Sequence, residues 1–343
     1  MELFKRHPLY KEDLSNVVSI EGIDCLQGKS FLITGATGLI GTHLVDALMS
    51  LHDVSVIAVG RDREKAKKRL GEYFESPLFK FIAHDAQAPF HDDIHVDYII
   101  PCASNTHPLA YSQYPVETIN INYKGAENAL ELARRTGAVV LYPSSVEIYG
   151  EALGNEVFSE NYTGKLNLST ARSCYSESKR VCEALCLSYM AEYGVDVKIA
   201  RLSRVFGPTM LFSDSKASSQ FIKNAVNGED IVLKSKGNQF FSYTYVSDVV
   251  AAMLHILIWG ESGVAYNISN QDCNVYLKDF ASLCASCSET RVVFELPAES
   301  ESKGYSIASR AILNNESLLD TGFRPKYTMY DAISRTIRIL KNE

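Results

Sequence analysis

A chain of 343 residues, 46% of them hydrophobic, is globular and long enough to fill one large α/β domain or two smaller lobes. A formal net charge of −7, with no basic run longer than the Arg61 to Arg69 patch, argues against nucleic acid or an anionic membrane as the main partner. No apolar segment approaches the roughly 20 residues of a membrane span, and Met1 to His7 lacks the apolar core of a signal peptide, so the expected location is cytoplasmic.

The first 28 residues are mixed and polar, show no periodicity, and are expected to wrap the surface as an N-terminal extension. Phe31-Leu32-Ile33-Thr34-Gly35-Ala36-Thr37-Gly38-Leu39-Ile40-Gly41 then reads as strand, turn and helix, with three glycines spaced three apart. Gly35 permits the tight turn, Gly38 lets the backbone approach a pyrophosphate, and Gly41 lets the helix pack on its strand. The helix N-terminus offers free N–H groups to an anion. Gly35, Thr37, Gly38, Leu39, Ile40 and Gly41 therefore form a candidate dinucleotide site.

Val54 to Val59 reads as the next strand, and its end meets the adenosine ribose. A carboxylate there favours NAD, whereas an arginine accommodates the 2′-phosphate of NADP. Gly60-Arg61-Asp62-Arg63 leaves three readings open: Arg61 leans towards NADP, Asp62 suits a ribose, or both cap the following helix. Phe79 to Ala83 is a third strand ending at His84-Asp85-Ala86, where Asp85 is placed to accept a bond from an adenine amine or to sit in a solvated turn. Asp97 to Ile100 is a fourth strand, leading into the small residues Cys102, Ala103 and Ser104 and on to His107, at the strand end where open parallel sheets bind ligands. A long helix over 115–136 carries Asn122, expected to bond backbone of the sheet. Ala138 to Tyr142 is the fifth strand and delivers Ser144-Ser145-Val146-Glu147. Strands and helices alternating this regularly predict an α/β fold with a doubly wound parallel sheet.

The second cluster is Tyr175-Ser176-Glu177-Ser178-Lys179, opening a helix whose apolar residues Val181, Leu185 and Tyr189 recur every fourth position. Tyr175 and Lys179 share one face. An ammonium beside a phenol favours the phenolate and is expected to lower its pKa from about 10, which makes Tyr175 a usable base. Ser145 is placed to hold the same substrate hydroxyl. Cys284 and Cys287, like Cys182 and Cys186, read as small apolar helix residues, and no metal site is expected. Further along come a helix from Ala217, a strand at Ile231 to Leu233, a return strand at Tyr243 to Val246, a helix over 248–258 and a closing helix over Tyr330 to Leu340.

The order T-G-x-x-G-x-x-G, S-S-x-x-x-Y-G, Y-x-x-x-K resembles the extended short-chain dehydrogenase/reductases that act on nucleotide sugars, over nearly the whole chain from Lys29. Within that family the loops Ala103 to Pro108, Ala171 to Tyr175, Phe206-Gly207-Pro208, Tyr245-Val246-Ser247-Asp248 and Tyr266-Asn267-Ile268 are similar to those of UDP-glucuronate decarboxylases. The resemblance implies a Rossmann domain over 29–204, with 242–270 returning to it, and a smaller C-terminal α/β substrate-binding lobe from 205–241 and 271–343. It also implies a tightly held NAD (or NADP, because of Arg61), with Gly35 to Gly41, Asp85, Ala86, Cys102, Ala103, Ser104, Asn122, Tyr175 and Lys179 against it. The substrate is a nucleoside-diphosphate sugar touching His107, Ser145, Arg204, Lys216 and Arg310, and the protein pairs as a homodimer through the helices over 115–136 and 176–193.

The implied chemistry oxidises the sugar at C4, with Tyr175 taking the hydroxyl proton. A C6 carboxylate then becomes part of a β-keto acid that loses carbon dioxide, or the C5 proton becomes acidic enough for Glu147 to remove. Dehydratases of the family place an Asp before that Glu, where this chain has Val146, so decarboxylation leads; a 4-epimerase, a 4,6-dehydratase and a non-catalytic NAD(P) sensor are the alternatives. Three positions depart from the decarboxylase pattern: Arg204 replaces Asn, while Thr209 and Phe241 each replace Arg. Lys216 is a candidate to supply one of the lost charges.

Overall fold

Phe31, Leu32 and Ile33 are wholly buried because β1 (Ser30–Thr34) lies inside a sheet covered on both faces, the setting in which a strand reads as an unbroken apolar run. Phe31 and Ile33 enter one core and Leu32 the other, as the two-residue period of a strand requires. The computed structural model describes residues 3–106, 108–152, 154–295 and 309–343. Its elements in chain order are α1 (Pro8–Val17), β1, α2 (Leu39–Met49), β2 (Ser55–Gly60), α3 (Arg63–Leu70), β3 (Phe79–Ala83), β4 (Tyr98–Pro101), α4 (Pro108–Gln113) and α5 (Pro115–Thr136). After these come β5 (Val139–Ser145), α6 (Ser173–Tyr193), β6 (Val197–Leu202), β7 (Arg204–Phe206), α7 (Ala217–Asn227), β8 (Ile231–Leu233), β9 (Phe240–Tyr245), α8 (Val246–Trp259) and β10 (Ala265–Ile268). The chain ends with β11 (Asn274–Tyr276), α9 (Leu277–Ser286), β12 (Val292–Phe294), β13 (Arg310–Ala311), α10 (Glu316–Asp320) and α11 (Met329–Lys341).

Seven parallel strands form the main sheet in the order β10-β6-β5-β4-β1-β2-β3, the doubly wound Rossmann arrangement expected from the alternation of elements. The strand order reverses between β1 and β4, which opens a crevice at their carboxyl ends. Helices α5 and α6 close one face with Ala126, Ala129, Leu130, Cys182 and Cys186; α2 and α8 close the other with Leu44, Val45, Val249 and Met253. A second sheet, β11-β9-β13 with β7 on β9, and the pair β8-β12 stand apart from the first. Phe206, Phe221, Tyr243 and Phe280 pack there edge to face and tilted.

Two expectations are corrected by packing. Strand β5 continues past Tyr142 to Ser145 in spite of Pro143. Val139 donates its N–H towards β4 and Val140 towards β6, so residue 143 turns its nitrogen to the β4 side, where pairing has already ended at Val140. A proline there forfeits no ladder bond. The extension puts Ser145 at the mouth of the crevice.

Residues 3–28 do not merely wrap the surface. Helix α1, started by Pro8 and capped by His7, buries Tyr10, Asp13 and Val17 against the body of the protein. Wholly buried Asp13 accepts hydrogen bonds from the Tyr245 hydroxyl at 2.5 Å, the Tyr327 hydroxyl at 2.9 Å and Arg335 Nε at 2.9 Å. Lys5 Nζ pairs with Asp46 of α2 at 2.6 Å and with Glu72 at 2.8 Å. The helical stripe was hidden because a carboxylate occupies its centre, where periodicity looks for an apolar residue.

Candidate active site

The glycine turn is built by crowding. Gly35 sits at φ +63°, and a Cβ on it would lie 2.8 Å from the backbone of Cys102 and Ala103. A Cβ on Gly41 would meet the Gly35 carbonyl at 2.3 Å, so helix and turn touch backbone to backbone. Gly38 is the N-cap of α2 and brings no side chain to satisfy its first-turn N–H groups, which leaves them available to an anion. Leu39 and Ile40 pack partly buried against the core, and the Leu39 carbonyl accepts from Thr209 Oγ1 at 2.7 Å. Thr209 thus fastens the crevice wall rather than offering charge.

At the end of β2, Asp62 accepts from the Lys65 N–H as the N-cap of α3, and Arg61 does not cap; it makes an exposed pair with Glu117 at 3.4 Å. Asp85 closes a turn by accepting from the Gln87 N–H at 3.0 Å, and the Ala86 carbonyl accepts from Asn128 at 2.8 Å. Beyond β4, Cys102 bonds the Ile100 carbonyl and Ala103 donates its N–H to Thr34 Oγ1 at 3.1 Å. Asn122 does not bond sheet backbone as expected. Its Oδ1 accepts from Ser104 Oγ at 2.6 Å and its amide donates to Ser178 Oγ at 2.7 Å, which in turn donates to the Tyr175 carbonyl at 2.9 Å. Asn122 so ties the loop after β4 to the helix that carries Tyr175, a side-chain link that only folding brings together.

Ser145 caps the short turn Val146–Tyr149, its Oγ accepting from the Glu147 N–H at 3.2 Å. Tyr175 stacks on Tyr111 with ring centroids 4.8 Å apart. Lys179 lies one helical turn on from Tyr175, yet its Nζ donates to the Pro143 carbonyl at 2.7 Å and rests 4.8 Å over the Tyr142 ring. The expected lowering of the phenol pKa is not found. Burial pushes Tyr175 up to about 12 and Glu147 pushes the same way, while a hydrogen bond with Ser145 and the charge of Arg172 oppose them. Desolvation outweighs the opposing groups because the phenolate loses its water on every side. Burial also pushes Lys179 below its ordinary value.

Sequence reasoning assigned Arg172 no role. It binds both oxygens of Glu147, at 3.1 and 3.0 Å, and lies 4.6 Å over the Tyr111 ring; Ser176 Oγ adds a bond to Glu147 at 3.4 Å. Its place three residues before Tyr175 was the available signal. Glu147, Arg172, Ser176, Arg204 and Ala311 line one cleft. Arg204 lies 3.5 Å over the Phe241 ring and Arg310 5.0 Å over Phe240. Lys216 stands outside this lining and is held by Asp214 at 2.8 Å, so it is already neutralised. His107 falls outside the described residues.

The profile of the NAD dependent epimerase/dehydratase family matches residues 31–269. UDP-glucuronic acid decarboxylase 6 of Arabidopsis thaliana is 37% identical over 239 residues, 70% of this chain and 68% of that protein. UDP-glucuronic acid decarboxylase 1 of Danio rerio is 32% identical over 321 residues, 92% of this chain and 73% of that one. In fold, the chain is similar to dTDP-glucose 4,6-dehydratase from Bacillus anthracis in complex with NAD, with a TM-score of 0.77 at 19% identity over 92% of this chain and 97% of that one. It is also similar to UDP-glucuronic acid 4-epimerase from Bacillus cereus in complex with UDP-glucuronic acid and NAD, with a TM-score of 0.77 at 18% identity over 91% of this chain and 99% of that one. With the glycine turn, the crevice and the Tyr175 helix in place, these matches make the chain a member of the NAD dependent epimerase/dehydratase family.

Proposed function

We propose that the protein is an NAD-dependent nucleotide-sugar enzyme that oxidises a UDP-uronate at C4 and decarboxylates it at C6. The observation that carries this reading is Glu147 fixed by Arg172 at the same strand end as Ser145 and Tyr175. The crowded Gly35–Gly41 turn and the uncapped start of α2 fit a pyrophosphate, and Cys102, Ala103, Ser104 and Asn122 border the nicotinamide end. NAD, when bound there, supplies a hydride acceptor. Ser145 and Tyr175 hold the C4 hydroxyl, and Tyr175 takes its proton. The resulting C4 ketone lies β to the C6 carboxylate, and the C6–C5 bonding pair moves into it as carbon dioxide leaves. The enolate takes a proton from water at C5, giving a 4-keto sugar that is released as such or reduced again at C4 with Tyr175 returning its proton. Residues 205–241 and 271–343 form the substrate-binding lobe in this reading.

Val146, buried before Glu147, offers no acid to a departing C6 hydroxyl, which counts against a 4,6-dehydratase. Mass spectrometry of the protein incubated with UDP-glucuronate is expected to show loss of the mass of carbon dioxide. An isomer of unchanged mass would instead establish a 4-epimerase and reject this reading.

A homodimer belongs to the same proposal. Helices α5 and α6 pack side by side and leave Ile119, Val181, Leu187 and Tyr193 exposed, apolar surface that a second copy would cover. Light scattering should give about twice the 38.1 kDa chain mass. The proposed location is cytoplasmic. All eight cysteines are free, as in a reducing compartment, and no helix among the described residues is long and apolar enough to cross a membrane.

A further inference from the structure

We propose that Arg204 is the residue that selects for a negative charge at C6 of the sugar, an inference that rests on the nucleotide-sugar reading above and assigns its specificity. Arg204 opens β7 and pairs in register with Tyr243 of β9, so Phe241, two residues earlier on β9, is its diagonal neighbour. The guanidinium carbon lies 3.5 Å from the centre of the Phe241 ring. One face of the cation is thus covered by an aromatic shelf, which leaves its edge for hydrogen bonding. Nη1 on that edge is buried and has no hydrogen-bond partner among the described residues. A buried donor on a cation is costly to leave unmade, which marks it as awaiting an acceptor.

The position of Arg204 decides which acceptor. It lines the cleft with Glu147, Arg172 and Ser176. The titratable groups that act on it are Glu147, Tyr243, Arg172 and Tyr111, and Tyr111 is the ring stacked on Tyr175. Arg204 therefore faces the reacting end of the sugar and not the pyrophosphate cradle at Gly38. Arg172 has its charge paired with both oxygens of Glu147 through Nη2. Arg310 Nε is also buried without a partner, but Arg310 pairs with Phe240, on the opposite face of β9 from Phe241, and stands outside the cleft lining. Lys216 cannot serve, because Asp214 holds it. An anion bonded to Arg204 at this end is a carboxylate on C6. The two departures at 204 and 241 then form one device: the strand β9 position gives up an arginine and becomes the shelf on which the neighbouring strand lays its own.

The carboxylate is still in place while C4 is oxidised, so the contact holds the bound substrate and the transition state of that step alike. Its removal should raise KM and leave kcat within about threefold. The test uses the NAD-loaded protein, titrated with UDP-glucuronate, UDP-glucose and UDP, as wild type, Arg204→Gln and Arg204→Lys. Wild type should bind UDP-glucuronate at least about tenfold more tightly than UDP-glucose. Arg204→Gln should weaken UDP-glucuronate by about 10- to 100-fold and change UDP-glucose and UDP by less than about threefold. Arg204→Lys should fall between, keeping charge without the flat stacked fork. Retained UDP affinity shows that each variant is folded. An equal loss for all three ligands makes Arg204 a diphosphate clamp and overturns the proposal, as does no loss, or a wild type without preference for the uronate. Carbon dioxide release by wild type reports separately on the decarboxylase reading: selective binding through Arg204 without gas release rejects that reading and leaves this one standing.

Discussion

Tyr175→Phe is expected to lower kcat on UDP-glucuronate by about 10²- to 10⁴-fold, the range that a positioned acid–base group contributes. Phenylalanine keeps the ring, the stacking on Tyr111 at 4.8 Å and the burial, so the fold and the binding of nucleotide should survive. Only the phenolic oxygen beside Ser145 is lost. The pH dependence follows from the direction of the shift. With burial holding the phenol up at about 12 in the free protein, it is almost wholly protonated at neutrality. Each unit of rising pH multiplies the phenolate about tenfold, so kcat/KM should climb from acid to alkaline pH until the phenol titrates. A pH–rate profile of wild type against Tyr175→Phe checks both points. A variant within about threefold of wild type, or one that keeps the rising limb, would remove Tyr175 from the chemistry.

Asp13→Ala should cost about 3–5 kcal/mol of stability, the loss seen when one partner of a buried ion pair is removed. Asp13 is wholly buried and is bound by Arg335 Nη2 at 2.8 Å, by Arg335 Nε and by the hydroxyls of Tyr245 and Tyr327. Alanine leaves two hydroxyls and a guanidinium without this acceptor, the guanidinium keeping Glu12 and the Leu9 carbonyl. Asp13→Asn, which keeps the size and one acceptor, should fall between. The shift of the urea midpoint measures the effect, and a loss under about 1 kcal/mol would show that water or a rearranged Arg335 replaces the carboxylate. The consequence extends to the active site, since Tyr245 immediately precedes α8, and α8 packs against the nucleotide helix α2.

Much of this protein was legible in its residues taken singly and in short windows. The glycine turn was readable because steric crowding at Gly35 and Gly41 admits few other residues. Five of the seven sheet strands were readable as short apolar runs, while β6 and β10 were not read, and helix 115–136 was readable to the residue because Pro115 starts it and Gly137 ends it at φ +75°. Such signals act within a few positions along the chain, where backbone sterics and hydrophobic periodicity operate. Helix α1 escaped because its buried stripe contains a carboxylate whose partners lie more than 200 residues away. The partners of Asn122, the Glu147–Arg172 pair and the Arg204–Phe241 stack also join distant stretches, and no spacing rule encodes them. The direction of the Tyr175 shift was the plainest case. Two residues four apart on a helix promised a lowered phenol pKa, but tertiary burial set the sign, because the cost of dehydrating a charge depends on everything that surrounds it and not on one neighbour in sequence.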